Sequence, residues 1–581
     1  MAPQESHYDF IIVGGGTAGN VVAGRLAENP NVSVLVIEAG VAHTDSIEEI
    51  TTPSSAMSLR GTQYDWGYKT TMVKRDDYER IEKPNTRGKG LGGSSTLNYF
   101  TWIPGCKVTF DNWAAKFGGE DWAWDRILPY FRKPATYHDE KGLHSKDLKK
   151  LGTNGPLPIS HAELLDELAP FRERLTKAWT SRGHKVTENI YDGTMIGLNH
   201  CVDSIYHGKR SGSFLFVRNK PNVTIMDETH SKKLIINEAD KTAKGVTVID
   251  KTGKEVSFYA TREVIVSQGV FETPKLLMLS GIGPKDHLTQ HGIRTIVDSP
   301  HVGQNLSDHP AVPFVLRVKD GFGMDNHLLR PGPENAAAIV EYKQSSTGPA
   351  ASGLLELVGF PRIDDYFEQD KLYRERKAAN GGVDPFCPEG EPHFELDFVS
   401  MFGTAFQWHY PVPKEGCYVS VVVDLVQPVS PPGEVTLQSA DPLVQPAINL
   451  NFFADELDIV GMRQGVRFTY DVLTKGEGFK DIVVGEYPWD MPLDDDAAMR
   501  HAVLDRCQTA FHPCGTARLS KDVGQGVVDS ALRVHGVKNL RVADASVMPL
   551  IPTCRIQNAV YMVGEKAADL LKAAHKDLYA A

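Results

Sequence analysis

The chain is 581 residues long and 41% hydrophobic, and its 62 Lys and Arg face 74 Asp and Glu, for a formal net charge of −12. At about 150 residues per domain, this suits two to four lobes with an enclosed core. The acidic balance, with no Lys/Arg-rich block, argues against nucleic-acid binding, and seven scattered cysteines without a C-x-x-C pair argue against a disulfide-stapled module.

Met1 to His7 is a short polar lead with neither a basic n-region nor an apolar h-region. No apolar run reaches the roughly 18–20 residues that a membrane helix needs. Together with the cysteine usage, these features give a cytoplasmic expectation, with no membrane partner. Asp9 to Val13 then reads as an apolar strand feeding Gly14-Gly-Gly16-Thr17-Ala18-Gly19. A helical stretch to Glu28 and a second strand, Val32 to Ile37, end at Glu38. This strand, glycine turn, helix, strand and acid is the context that makes G-x-G-x-x-G a dinucleotide fingerprint. Gly14 permits the tight turn, Gly16 lets backbone N–H groups approach a pyrophosphate, and Gly19 allows close packing of helix on strand. Glu38 is suited to accept hydrogen bonds from ribose hydroxyls.

Farther on, Gly92-Gly93-Ser94-Ser95 is a loop of small residues whose N–H and hydroxyl groups can approach a phosphate or a ring without steric obstruction. Strand-like returns reappear at Glu263 to Gly269 and at Asn539 to Asp544, so one nucleotide domain is assembled from separated segments. Between them, roughly Pro310 to Thr509, alternating runs such as Glu395 to Val399 and Tyr418 to Leu425 predict an antiparallel sheet. Arg330 to Thr347 and Tyr366 to Pro392 read as loops or short helices above it. The spacing predicts a last helix over Asn558 to Ala573, opened by Gln557. No His/Cys/Asp cluster has metal-ligand spacing, and no metal is expected.

Four motifs make the chain resemble the glucose–methanol–choline (GMC) family of FAD oxidoreductases, over essentially its whole length. They are Gly14 to Gly19; Gly88 to Asn98, with Trp102 and Gly105 following; Gly269 to Gly283, departing mildly at Val270; and the C-terminal pair Ala510 to Gly515 and Val542 to Ser546, running on to Gln557-Asn558. The resemblance implies α/β plus α+β architecture: a Rossmann-like FAD-binding domain with an inserted substrate domain containing an antiparallel sheet. Residues 1–155, 206–309 and 521–581 would form the FAD-binding domain, 156–205 a cap segment and 310–520 the substrate-binding domain. It also implies that Asn98 lies at the flavin edge, that Ser231 stands near the adenine, where a Val is usual, and that Asp544 and Ala545 hold the ribityl or phosphate region. Gln557 would open a helix whose positive end faces the flavin pyrimidine. Leu97 replaces the histidine that carries flavin covalently in some members, which implies non-covalent FAD.

In the family, a histidine and a second His or Asn stand before flavin N5. His512 matches the first position, whereas Arg555 replaces the second. A guanidinium cannot act as a base, and it binds a carboxylate through two parallel hydrogen bonds. Just ahead of a helix N-terminus it calls for an anion: a structural Asp or Glu, the substrate, or the reduced flavin. Arginine there resembles the formate-oxidising branch of the family. That likeness implies formate and O2 as substrates, CO2 and H2O2 as products, 8-formyl-FAD as cofactor, and His512 as a positioning donor, preferably protonated. An alcohol oxidase or dehydrogenase acting on a small or carboxylate-bearing alcohol is the nearest alternative, with a hydroxynitrile lyase and a non-catalytic flavin scaffold behind it.

Overall fold

The computed structural model describes residues 6–161, 165–353, 355–406 and 410–579. Phe10-Ile-Ile-Val13 and Val34 to Ile37 are buried on both faces, as strands inside a covered parallel sheet must be. Ser6–Val13 pairs in parallel with Val34–Ile37 on one side and Glu255–Val266 on the other, so that Val13 stands beside both Ile37 and Val266. Val223–Met226 extends the sheet beyond Val34–Ile37. Thr242–Ile249 and His230–Asn237 extend it antiparallel beyond the first half of Glu255–Val266, and Leu540–Val542 pairs in parallel with the second half. One sheet is thus stitched from three distant stretches of chain.

The inserted antiparallel sheet runs in the order Val483–Tyr487, Pro310–Val318, Cys417–Leu425, Phe394–Val399, Leu357–Phe360 and Gly197–His200. Its apolar side chains pack with the 20-residue helix Glu456–Lys475 in a second core. Both alternating segments read from the sequence are strands of this sheet. The turn-rich stretches hold the helices Pro333–Ser345, Asp364–Phe367 and Lys371–Ala379, the first of which reaches 13 residues. The long C-terminal helix, Gln557–Ala574, which the short helix Lys576–Tyr579 follows, lies along Thr17–Leu26, where a Cβ on Gly564 would come within 3.1 Å of the Ala18 carbonyl oxygen. No helix among the described residues is long and apolar enough to cross a membrane. All seven cysteines are buried and free.

Candidate active site

One deep cavity lies where the parallel strands end, roofed by the antiparallel sheet. Gly14, Gly16, Glu38, Ser267 and Asp544 line one end, and Ala311, Pro313, Asp397, Val422 and Asp424 line the other. The glycine turn is a cradle that no larger residue would leave intact. Gly14 has φ +109°, and a Cβ there would sit 2.3 Å from the Ser267 carbonyl oxygen. On Gly19 it would sit 2.0 Å from the Gly14 oxygen, so Gly19 serves the packing of helix on strand and does not face the cavity. Helix Thr17–Leu26 starts at Gly16 with no side-chain cap, leaving its first N–H groups, at Thr17 and Ala18, open to the cavity.

Glu38 accepts the N–H groups of Gly15 at 3.1 Å and Gly40 at 2.9 Å, while burial pushes its pKa up. The second glycine loop closes on the first. Gly93, at φ +52°, would bring a Cβ within 2.8 Å of the Gly16 Cα, and Gly92, at φ +107°, is left-handed as well. Ser94 accepts the Gly88 N–H at 3.2 Å, and the Ser95 hydroxyl donates to the Gly92 carbonyl at 2.7 Å. Ser95 thus holds the loop, with Ser94 beside it at the cavity wall. Asp544 accepts from Gly269 N–H at 2.9 Å, Thr273 hydroxyl at 2.6 Å and Ser546 N–H at 2.7 Å, which ties the third strand segment to helix Gly269–Leu279. Ala545 lines the cavity next to it.

Ser231, expected near the adenine through its backbone, lies at the start of the strand His230–Asn237, two residues after Thr229. Thr229 lines the cavity there, whereas the Ser231 hydroxyl accepts from the Gln268 side chain at 2.8 Å, outside the lining. Asn98 donates to the Gln557 side chain and accepts from Arg210 at 2.9 Å, joining the serine loop to the start of helix Gln557–Ala574. Arg210 was not legible in the sequence. It is 4% exposed, and burial draws its pKa down to about 9.

His512 and Arg555 line the same cavity. The His512 N–H donates to Asp308 at 2.9 Å, and its Nδ1 lies 3.0 Å from Nδ1 of His309. One imidazole donates and the other accepts, so the pair shares a single proton along that line. Burial, His309, Arg555 and Arg87 hold His512 well below the usual histidine range. This corrects the expectation of a protonated His512, because the surroundings favour the neutral ring. Asp308 also accepts the Thr509 hydroxyl and the His309 N–H, and is pushed up to about 6, chiefly by burial.

The anion called for beside Arg555 is supplied by the protein. Arg555 pairs with Asp397 through Nη2 and with Glu395 through Nε at 3.1 Å, and its Nη1 donates to Thr101. Burial alone would lower the guanidinium pKa, but Asp397 and Glu395 overcome it and hold Arg555 charged. Asp397, Glu395, His309 and Arg87 went unread in the sequence. The visible trace was two acids spaced by two in the apolar strand Phe394–Val399. One possible metal group, Asp384, Cys387 and His393, lies elsewhere among the described residues. There Arg362 binds Asp384 at 2.8 Å, and His393 bridges Asp384 at 2.6 Å and the Ile363 N–H at 2.9 Å, so the polar atoms satisfy one another.

A doubled glycine cradle under a parallel sheet, opening onto an imidazole and a guanidinium, defines a dinucleotide-dependent oxidoreductase. The family models for GMC oxidoreductases match residues 8–311 and 428–564, and the chain belongs to this family of FAD enzymes. Among solved structures it is similar to formate oxidase from Aspergillus oryzae, at 70% identity over 100% of both chains and a TM-score of 0.98. Related structures of that oxidase carry an arginine replaced by lysine or alanine and concern the effect on FAD modification. A pyridoxine 4-oxidase from Mesorbium loti is 26% identical over 97% of this chain and 98% of its own, with a TM-score of 0.78. Pyranose dehydrogenase 3 from Leucoagaricus meleagris is 31% identical over 98% of this chain and 93% of its own length.

Proposed function

We propose that this enzyme oxidises formate with FAD, releasing CO2 and passing the electrons to O2 to give H2O2. The observation that carries the reading is a charged guanidinium and an imidazole facing one cavity whose other end is the dinucleotide cradle. The 70% identity to a formate oxidase over the whole chain supports the choice of substrate.

Bound FAD supplies the hydride acceptor. The chain supplies everything that aims the substrate. Gly14, Gly16, Thr17, Ala18 and Gly93 would hold the pyrophosphate through backbone N–H groups, with Glu38 on the ribose and Asp544, Ala545, Ser94, Asn98 and Gln557 along the rest of the cofactor. Arg555 binds the formate carboxylate through its fork, and His512 holds the second oxygen when its ring presents an N–H. Formate is already deprotonated, so its C–H is the only bond to hydrogen that must break, and the linear product leaves without acid or base assistance. Apolar neighbours of the site, Ala311, Val422 and Phe406, keep water out.

Cofactor attachment is non-covalent, since Leu97 offers no nucleophile in the first signature. A fixed cation at Arg555 favours anionic flavin forms, which supports 8-formyl-FAD as part or all of the cofactor. The link between an arginine and FAD modification in the Aspergillus oryzae oxidase supports this too. The test is addition of formate under nitrogen. The visible flavin absorbance should bleach, and air should restore it with one H2O2 per formate. Absent bleaching sinks the reading, and a lyase without net redox would also leave the flavin oxidised. Acid precipitation should release all the yellow colour, and the mass of the released cofactor should include the formyl form. A yellow pellet, or ordinary FAD alone in fresh and aged protein, counts against these two points.

One observation favours a second reading, oxidation of a small or carboxylate-bearing alcohol. The depressed pKa of His512 keeps its ring neutral, as a base accepting a hydroxyl proton must be. Comparing formate with short alcohols in the same anaerobic assay decides between the two.

A further inference from the structure

Four carboxyl groups crowd the single guanidinium of Arg555. Glu395 and Asp397 are two residues apart on one face of Phe394–Val399, and Asp424 stands directly across from Glu395 in the neighbouring strand. Asp203 approaches from the short strand Val202–Asp203. None of the four is more than 4% exposed. Carboxylates facing each other in a sheet repel, and each uncompensated buried ion costs several kcal/mol.

The cluster therefore holds protons. Glu395 and Asp203 are pushed up to about 8 by burial, against the pull of Arg555. Asp424 lies well above the usual carboxylate range through burial and its neighbours Asp397 and Glu395. Asp397 is raised by burial and drawn back by Arg555, whose Nη2 donates directly to it. Its other oxygen, Oδ1, has no hydrogen-bond partner, and neither has Oδ1 of Asp424; both side chains line the cavity. Of the remaining groups facing the cluster, Asp308 is pushed up to about 6 and, once ionised, raises Asp424 further. Cys201 and Cys554 are pushed up by burial and stay neutral thiols, and His512 is neutral. Asp308 lies on the Asp424 side, and Glu356, on the Asp203 side, is paired with Arg172.

A substrate carboxylate reaching Arg555 brings a second anion to a guanidinium that already balances one. The same repulsion that protonates Asp424 and Glu395 then acts on Asp397. We infer that Asp397 is the resident counter-ion of Arg555 and takes up a proton as the substrate carboxylate binds, so that anion and proton enter the site together. Only an O–H bond forms at Asp397, and nothing is oxidised there. The proton matches the one that the proposed overall reaction consumes: formate, H+ and O2 give CO2 and H2O2. Asp397 is on this account a positioning residue acting through Arg555, and the inference rests on the formate reading above.

Anaerobic stopped-flow reduction of the holoenzyme by formate tests it, because it separates the saturation constant from the limiting rate. In wild type the saturation constant should rise about ten-fold per pH unit on the alkaline side while the limiting rate stays level, the signature of one linked proton. Asp397→Asn should flatten that slope, and Asp397→Glu should restore it. A level wild-type constant, or an unchanged slope in Asp397→Asn, overturns the inference; the latter would send the proton to His512. If the Asn variant does not retain FAD, wild type is mixed with nitrate in weakly buffered indicator dye. Uptake of about one proton per nitrate bound, kept in His512→Asn, supports the inference, and uptake lost in that variant overturns it. No uptake, at nitrate concentrations that slow formate oxidation, overturns it. If formate fails to bleach the flavin at any pH, the substrate reading fails by itself, and the nitrate titration of wild type beside His512→Asn still decides the role of Asp397.

Discussion

Arg555 is gripped on three sides, by Glu395, Asp397 and Thr101, so its fork is presented to the cavity in one orientation. Arg555→Ala should abolish formate-driven bleaching while FAD remains bound, because the cradle lies at the other end of the cavity. Arg555→Lys should recover only a fraction, since a point charge cannot span three partners. Formate kinetics beside flavin content read both, and a lysine variant with wild-type turnover would show that charge alone suffices. His512 bears on the kind of proton traffic. With formate, C–H cleavage should give a primary isotope effect with deuterated substrate and little solvent isotope effect on anaerobic reduction. A large solvent effect, with activity that grows as His512 deprotonates, would favour the alcohol reading.

The two glycine loops show what short-range pattern reveals. Gly14, Gly16, Gly19, Gly93 and Asp544 were legible because each is constrained by its immediate neighbours: a left-handed turn, a close backbone approach, a cap. Gly93→Ala should weaken FAD retention sharply, since the position costs about 1–2 kcal/mol for its left-handed backbone and the new methyl meets Gly16. Flavin content after gel filtration checks this, and a fully yellow variant would contradict it. The carboxylate cluster was not legible. Glu395 and Asp424 are 29 positions apart, and only the register of two strands sets them face to face. His309 meets His512 across 203 positions, and Arg210 reaches Asn98 across 112. No local spacing encodes such meetings, so the sequence supplied Arg555 but not its partners.

Across the molecule, buried carboxyls leave a mark on stability. Glu395 titrates near 8 in the folded protein, and an unfolded glutamate titrates at about 4.3. Between those values the folded state holds a proton that the unfolded chain has released, so stability declines with rising pH across that window and levels off above it. Glu395→Gln should therefore show a shallower decline in Tm from about pH 5 to 8 than wild type. Parallel curves would mean that Glu395 is already ionised. At this scale the division into a nucleotide sheet and an inserted antiparallel sheet followed from periodicity. The placing of Leu540–Val542 against Glu255–Val266 was suggested by the returning strand pattern, while the pairing of Gly197–His200 with Leu357–Phe360 left no trace.

The stitched parallel sheet has a consequence for how the enzyme is made. Its fingerprint turn leaves the ribosome more than 500 residues before Leu540–Val542, Asp544 and the helix that packs on Thr17–Leu26. A nascent chain arrested before about residue 540 lacks one edge of the cradle and the buttress behind it. Cofactor capture thus waits for Gln557–Ala574, and ribosome-stalled chains should emerge flavin-free until the tunnel has released that helix.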